Sequence, residues 1–372
     1  MKRIFRDFYI ITIVFILASA VLYGYYEYFG KDKTIPIYRN WDGPAYVIVA
    51  KTLYNINLIH QVNTVGLMPA DYSQQFPLYP LFIRMFSFLG YKQSMIFTSQ
   101  FFSLLFIFTF YLLLRIVNPK ANTLMISLLL IFYTPRWFIV SHVGSSEPIF
   151  MFFATLFLLL FMKNHFFLAA LSASLAQASR AQGILYSIGV LVYSFGDLFI
   201  TRKTSIIKGI KKYLPFVLIP LTLAGIFTFF WYSYGDFFIN IKIHAGHPEI
   251  RWLPLQMFIN YSAYEFNAWK ESLIINYIIY LLAIIIMFQK RLYFIAVTSL
   301  VFYIPLLFLF HVDVSRYALP LLPVLFLAFS DSLSKKSVYI TLLACIPLVY
   351  LFAIGYININ LAGPLPFNVN IQ

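Results

Sequence analysis

Thirteen carboxylates in 372 residues leave few groups able to move a proton, so the surroundings of each decide what chemistry the chain can do. The most suggestive is Asp42 in WDGPAYVIVAKTLY (41–54), preceded by Arg39. Tyr46, Val49, Ala50 and Leu53 recur at i, i+3, i+4 and i+7, the apolar stripe of an amphipathic helix. With Lys51 and Thr52 turned away from that stripe, the helix is expected to lie flat in a membrane interface. Asp42 then stands at its start, with Pro44 in the first turn. Capping is the ordinary task of an Asp in that position. A carboxylate fixed at a helix start also has the constant direction that a general base requires.

Other charged groups recur in similar settings. QFPLYPLFIR (75–84) starts on Pro77 and Pro80 and continues apolar to Leu89, as a second interfacial helix would; its Arg84 either snorkels to headgroups or meets a phosphate. GSSEPIF (144–150) opens a span, with Ser145 or Ser146 as cap and Glu147 at the positive helix end, where a cavity could open. Arg180 in SRAQG (179–183) is flanked by apolar runs, and an ionisable group at membrane depth is functional by default. SRYALPLLP (315–323) follows His311 and Asp313, which puts Arg316 at an outer helix start, either for function or simply paired with Asp313. HAGHPEIRW (244–252) offers His244, His247 and Glu249, but Gly246 and Pro248 argue against a regular metal-binding pair and no fourth ligand is apparent. No Walker A, G-x-G-x-x-G, H-E-x-x-H or G-x-S-x-G sequence occurs, so nucleotide hydrolysis at a standard site has no support.

These groups sit in a chain that is 61% hydrophobic, 20% aromatic and 11% charged, against about 25% charged for a soluble domain. With a mean hydropathy of +0.81, the fold class is an all-α integral membrane protein. Apolar runs near 8–29, 94–114, 121–139, 148–162, 166–179, 182–199, 213–234, 272–288, 292–310, 318–333 and 337–357 predict a bundle of about eleven transmembrane helices. The short pair 166–179 and 182–199 could meet below the outer surface. One membrane domain over 1–372 is expected, with two large loops, 30–93 and 235–271, on the same side. The first run follows Lys2, Arg3 and Arg6 and reads as an uncleaved signal anchor. A lone Cys345 allows neither an intrachain disulfide nor a cysteine metal site.

A net charge of +14 would suggest nucleic acid on a soluble protein. With the amino terminus cytoplasmic, fifteen cations and only Asp7, Asp197 and Asp331 fall inside, a net +12, while the outer face carries +2. The excess therefore sets orientation and meets anionic lipid, and the nucleic-acid reading loses its basis. Ten of the thirteen carboxylates, with His60, His142, His244, His247 and His311, fall outside. The chemistry is expected at the extracytoplasmic face.

WDGPAYVIVAKTLY followed by QFPLYPLFIR resembles the first outer loop of the GPI-anchor mannosyltransferase II (PIG-V-like) family, within the GT-C superfamily of polytopic glycosyltransferases. SSEP (145–148), SRAQG and SRYALPLLP resemble weaker landmarks of that family. The resemblance implies transfer of a sugar, mannose or another hexose, from a polyprenyl-phosphate donor to a lipid, glycan or protein acceptor. It makes Asp42 the base of an inverting reaction. Arg316 and Arg180, with Arg84 behind them, become candidates for the leaving phosphate. Arg39, Trp41, Glu147, His244 and His247 complete the expected substrate-binding set. Asn40 stands where the family pattern has Arg, and Pro44-Ala45 replaces a bulkier pair, so the acceptor of the eukaryotic enzymes is not carried over. No D-x-D motif is present, which leaves a divalent cation open; the lipid-linked sugar is the only other small molecule implied. The rival functions are a transporter or lipid flippase, which should place ionisable groups at mid-membrane in two related halves, and a membrane scaffold. Lean loops favour a bacterial or archaeal plasma membrane.

The orientation is checked by cysteine labelling. After Cys345→Ala, single cysteines at His60 and Ala245 should react with an impermeant maleimide added outside intact cells; reaction only after inner-face access would reverse the topology.

Overall fold

A computed structural model describes residues 2–200, 205–246, 250–259, 264–311 and 313–363. Helices dominate, and among these residues strand pairing is limited to two isolated bridges, Asn40 with Leu361 and Ile250 with Leu309. Each of the eleven apolar runs is helical over much of its length. Six of the resulting helices, Lys2–Phe29, Tyr91–Val117, Ala181–Ile200, Ile207–Tyr234, Lys270–Gln289 and Lys336–Ile359, are long and apolar enough to cross a bilayer. Five others are apolar but shorter, among them Glu147–Met162 and Phe166–Ser179. The chain is thus an all-α, multi-pass membrane protein.

The opening helix shows how side chains are sorted. Its buried residues, Asp7, Ile11, Phe15, Ala18, Ser19, Leu22 and Tyr26, follow the helical period and face the bundle. Ile13, Ile16, Leu17 and Val21 point away from it, as lipid-facing residues should. Where helices pack closely the contact residues are small. Ser99 and Ser103 on Tyr91–Val117, and Ala169, Ala170, Ala173 and Ala176 on Phe166–Ser179, are fully buried and let the backbones of both helices approach Glu147–Met162. Ser172 donates to the Phe153 carbonyl (2.7 Å) across one of these contacts.

The run 121–139 is not one helix. It breaks between Thr123–Phe132 and Pro135–Val140, because the proline ring pushes Thr134 into extended backbone (φ −78°, ψ 163°). The chain then turns at 141–146. That turn is tied to the first helix by Ser19 Oγ against His142 Nε2 (3.0 Å) and by the Tyr23 hydroxyl, which donates to the His142 carbonyl (2.8 Å).

The first large loop folds inward. Gly43–Thr52 is buried along its whole length, Lys51 and Thr52 included, which corrects the expectation of a helix lying flat in the interface. Tyr46, Val47 and Ala50 join the main core, while Ala45, Ile48 and Val49 join a second cluster with Ile226, Phe227 and Phe230. The apolar stripe read from the sequence is one of two buried faces. Leu78–Met85 packs beside this helix, and Arg84 donates to the carbonyls of Ala50 and Lys51 (3.0 Å each). Arg84 thereby supplies donors to the unsatisfied carboxyl end of Gly43–Thr52.

Phe166–Ser179 and the next helix meet in the turn Ala181–Gly183, as the short pair suggested. A Cβ on Gly183 would lie 2.4 Å from the Gln177 Cα and 2.6 Å from its nitrogen, both backbone atoms. Gly183→Ala should therefore lower stability by about 1–3 kcal/mol, the usual cost of overpacking. Thermal unfolding in detergent should reveal it, with Gly225→Ala, inside a helix and with nothing within 4 Å, as a control that is not destabilised.

Candidate active site

Glu147 is the first residue of Glu147–Met162 and is buried. Its Oε1 accepts from Arg180 Nη1 (2.5 Å) and from Arg316 Nε, and its Oε2 accepts from the Ser145 hydroxyl. Taking an ion out of water costs several kcal/mol even after relaxation. Two guanidiniums, a hydroxyl and the positive end of a helix jointly offset that cost.

Each partner is delivered by a local feature of the chain. Arg180 leaves Phe166–Ser179 in extended backbone (φ −156°, ψ 142°), which swings its side chain off the helix and toward Glu147. Its Nη1 also donates to Ser146 Oγ (3.0 Å), and Ser146 Oγ meets the Tyr46 hydroxyl (2.8 Å). Neither serine caps the helix as expected; both hydroxyls are spent on this network. Arg316 lies in the short helix Val314–Tyr317, beyond Asp313. The 141–146 turn comes close to Gly43–Thr52 at paired glycines, a Cβ on Gly43 falling 3.3 Å from the Gly144 carbonyl oxygen, and Gly144 itself lies against the Met95 side chain of Tyr91–Val117.

Asp42 is at the N-cap position of Gly43–Thr52 but makes no side-chain capping bond. Its carboxylate is 49% exposed and among the described residues has one ion pair, with Arg316 Nη2 at 3.4 Å. Arg316 so links an exposed carboxylate to a buried one. Burial opposes the charge on Arg316, but Glu147 and then Asp42 outweigh it and hold the guanidinium well above its ordinary pKa. Burial, only partly offset by Arg180, pushes Tyr46 up to about 12, so its hydroxyl keeps its proton. The arrangement is a chain of alternating charges, Arg180, Glu147, Arg316 and Asp42, open to water at Asp42.

Trp41 carries the backbone into this site with φ 48°, an uncommon conformation for a residue with a side chain. Its amide donates to the Asn360 carbonyl (3.3 Å), and Asn40 Nδ2 to the Ile357 carbonyl (3.2 Å). Arg39 donates to the carbonyls of Ala362 and Gly363. These contacts fasten the Asp42 loop to the end of the last helix, so Arg39 acts on backbone carbonyls. Arg316 stacks on the Trp41 ring at 4.6 Å.

The sequence-derived residues therefore separate. Asp42, Trp41, Glu147, Arg180 and Arg316 come together. Arg84 serves a helix end, and His244 Nδ1 meets the Asn240 carbonyl (2.8 Å) within Ile239–Gly246. His247 and Glu249 lie outside the described residues. Among the described residues no group of three or more His, Cys, Asp or Glu is arranged to hold a metal ion. Asp313 pairs with Arg136 (3.0 Å) instead of Arg316. Arg136 is not among the sequence-derived residues, although it stands in an apolar run as Arg180 does and carries the same signal. Tyr46 and Ser146 gave no signal, since an apolar helix and a presumed cap hid them.

A comparison with models of known protein families gives no match, and no curated protein matches the chain.

Burial separates the two carboxylates experimentally. Glu147→Gln leaves two guanidiniums short of their counter-charge and should cost about 3–5 kcal/mol. Asp42→Asn breaks only a half-exposed pair and should cost about 0–1 kcal/mol. Denaturant or thermal unfolding in detergent distinguishes them; equal losses would contradict the assigned environments.

Proposed function

We propose that this protein is a membrane glycosyltransferase that moves a hexose from a polyprenyl-phosphate donor to an acceptor hydroxyl at the extracytoplasmic face. The observation that carries the reading is Asp42, an exposed carboxylate relieved of capping and placed against a buried guanidinium. Asp42 takes the proton of the acceptor hydroxyl as its oxygen attacks the anomeric carbon. The bond from that carbon to the phosphate oxygen breaks, the configuration inverts, and polyprenyl phosphate leaves with the bonding electrons. Permanent positive charge beside the base compensates the growing charge on the leaving group. The motif resemblance supports the same reading and names mannose as the first sugar to try.

In this reading the five shorter apolar helices complete a bundle of eleven spans. The amino terminus is cytoplasmic, and the membrane is the plasma membrane of a bacterium or archaeon. Lipid surrounds the bundle, and the acceptor is a lipid, glycan or protein. A transporter or flippase is the second reading, favoured by the buried Glu147 and Arg180 pair, since transporters also keep ionisable groups within the membrane domain.

The test uses purified protein with a polyprenyl-phosphate sugar that supports turnover. Asp42→Asn should lower transfer by about 10²–10⁴-fold, the usual worth of a general base. Its unfolding should stay that of the wild type. Full activity in the folded variant would remove Asp42 as the base; lipid translocation without bond cleavage would establish the second reading.

A further inference from the structure

Two buried donors beside the charged network have no partner among the described residues: Nη1 of Arg136 and Nε1 of Trp41. Both side chains belong to residues more than nine-tenths buried, at 7% and 8% exposure. The rest of the Arg136 guanidinium is committed. Nη2 pairs with Asp313 Oδ1 (3.0 Å) and Nε donates to Ser315 Oγ (3.3 Å). One face lies over the Tyr356 ring at 3.9 Å, and the Tyr356 hydroxyl donates to the same Asp313 oxygen (2.9 Å). The guanidinium is thus held in one orientation with one nitrogen bare.

Trp41 lies between two such groups, its ring 5.6 Å from the Arg136 guanidinium and 4.6 Å from that of Arg316. What completes this corner must accept hydrogen bonds from a guanidinium and an indole. An anionic oxygen meets that requirement, and guanidinium forks suit phosphate oxygens in particular. Arg180 and Arg316, the arginines first assigned to phosphate, both spend a donor on Glu147. Of the two donors, Trp41 immediately precedes Asp42, and Arg136 reaches the same corner across the Trp41 ring.

We infer that Arg136 and Trp41 form a phosphate-oxygen subsite next to Arg316, and that it holds the phosphate of a polyprenyl lipid. The assignment of that phosphate to a donor rests on the transferase reading above. Arg136 binds one phosphate oxygen through Nη1, Trp41 donates through Nε1, and Asp313 with Tyr356 keeps the guanidinium in place. Arg316 then stands between the phosphate and Asp42, so the leaving group and the base share one cation.

Binding of farnesyl phosphate to the full-length protein in nanodiscs tests this, with farnesol and inorganic phosphate as separate arms. Wild type should bind farnesyl phosphate at least tenfold more tightly than either. Trp41→Phe keeps an aromatic ring over the guanidiniums while removing the N–H donor; it should weaken binding about tenfold. Arg136→Gln combined with Asp313→Asn leaves no unpaired charge and should weaken it further. Arg136→Lys should recover only part of the loss, because an ammonium lacks the planar fork. Asp42→Asn removes no donor and should bind at least as tightly as wild type. Wild-type strength in Trp41→Phe and in the folded Arg136 variant would overturn the subsite while leaving the transferase reading intact. Equal binding of farnesol would overturn the phosphate assignment, and equal binding of inorganic phosphate would overturn its lipid source. The expected losses in a protein that transfers no sugar would uphold the subsite and remove the transferase reading.

Discussion

The carboxylate of Glu147 sits between two guanidiniums inside a membrane protein, and the geometry of the candidate site follows from that contact. A buried Glu alone would cost several kcal/mol, and a buried Arg alone as much. Arg180 and Arg316 come from segments separated by more than a hundred residues in sequence, so satisfying Glu147 fixes three distant parts of the chain relative to one another. Ser145 donates to the second Glu147 oxygen, and Ser146 joins Arg180 to the Tyr46 hydroxyl.

The same contact explains why Asp42 is available. Arg316 directs its Nε to Glu147, so only Nη2 reaches Asp42, at the long end of hydrogen-bond distance. Asp42 is released from capping and half exposed, whereas Glu147 is enclosed and fully engaged. One carboxylate organises the site, and the other is the one that takes the acceptor's proton in the proposed reaction. In the proposed reaction the guanidinium between them meets charge that moves from acceptor to leaving group, without reorganising.

Much of the fold was legible because hydropathy reports the bilayer directly: all eleven apolar runs are largely helical. The errors came where a short-range pattern has two outcomes. The stripe in 43–54 is compatible with one buried face or two, and only the cluster with Phe227 and Phe230 shows that Gly43–Thr52 is enclosed on both. Asp42, Glu147, Arg180 and Arg316 were found because a charge amid apolar residues is conspicuous. Their pairing was not, since Arg316 has Asp313 three residues away and takes Glu147 instead, 169 positions distant. Arg84 and Arg39 carried the same signal and serve backbone carbonyls, so charge in an apolar segment marks an unusual electrostatic demand before it marks a substrate.

The most direct measurement of the central claim is incubation of the purified wild-type protein, in lipid, with a panel of polyprenyl-phosphate hexoses and hydroxyl acceptors. The account predicts that one donor is consumed with equimolar release of polyprenyl phosphate, and that the new glycosidic bond has the opposite anomeric configuration. A retained configuration, or intact donor after passage across the bilayer, would contradict it.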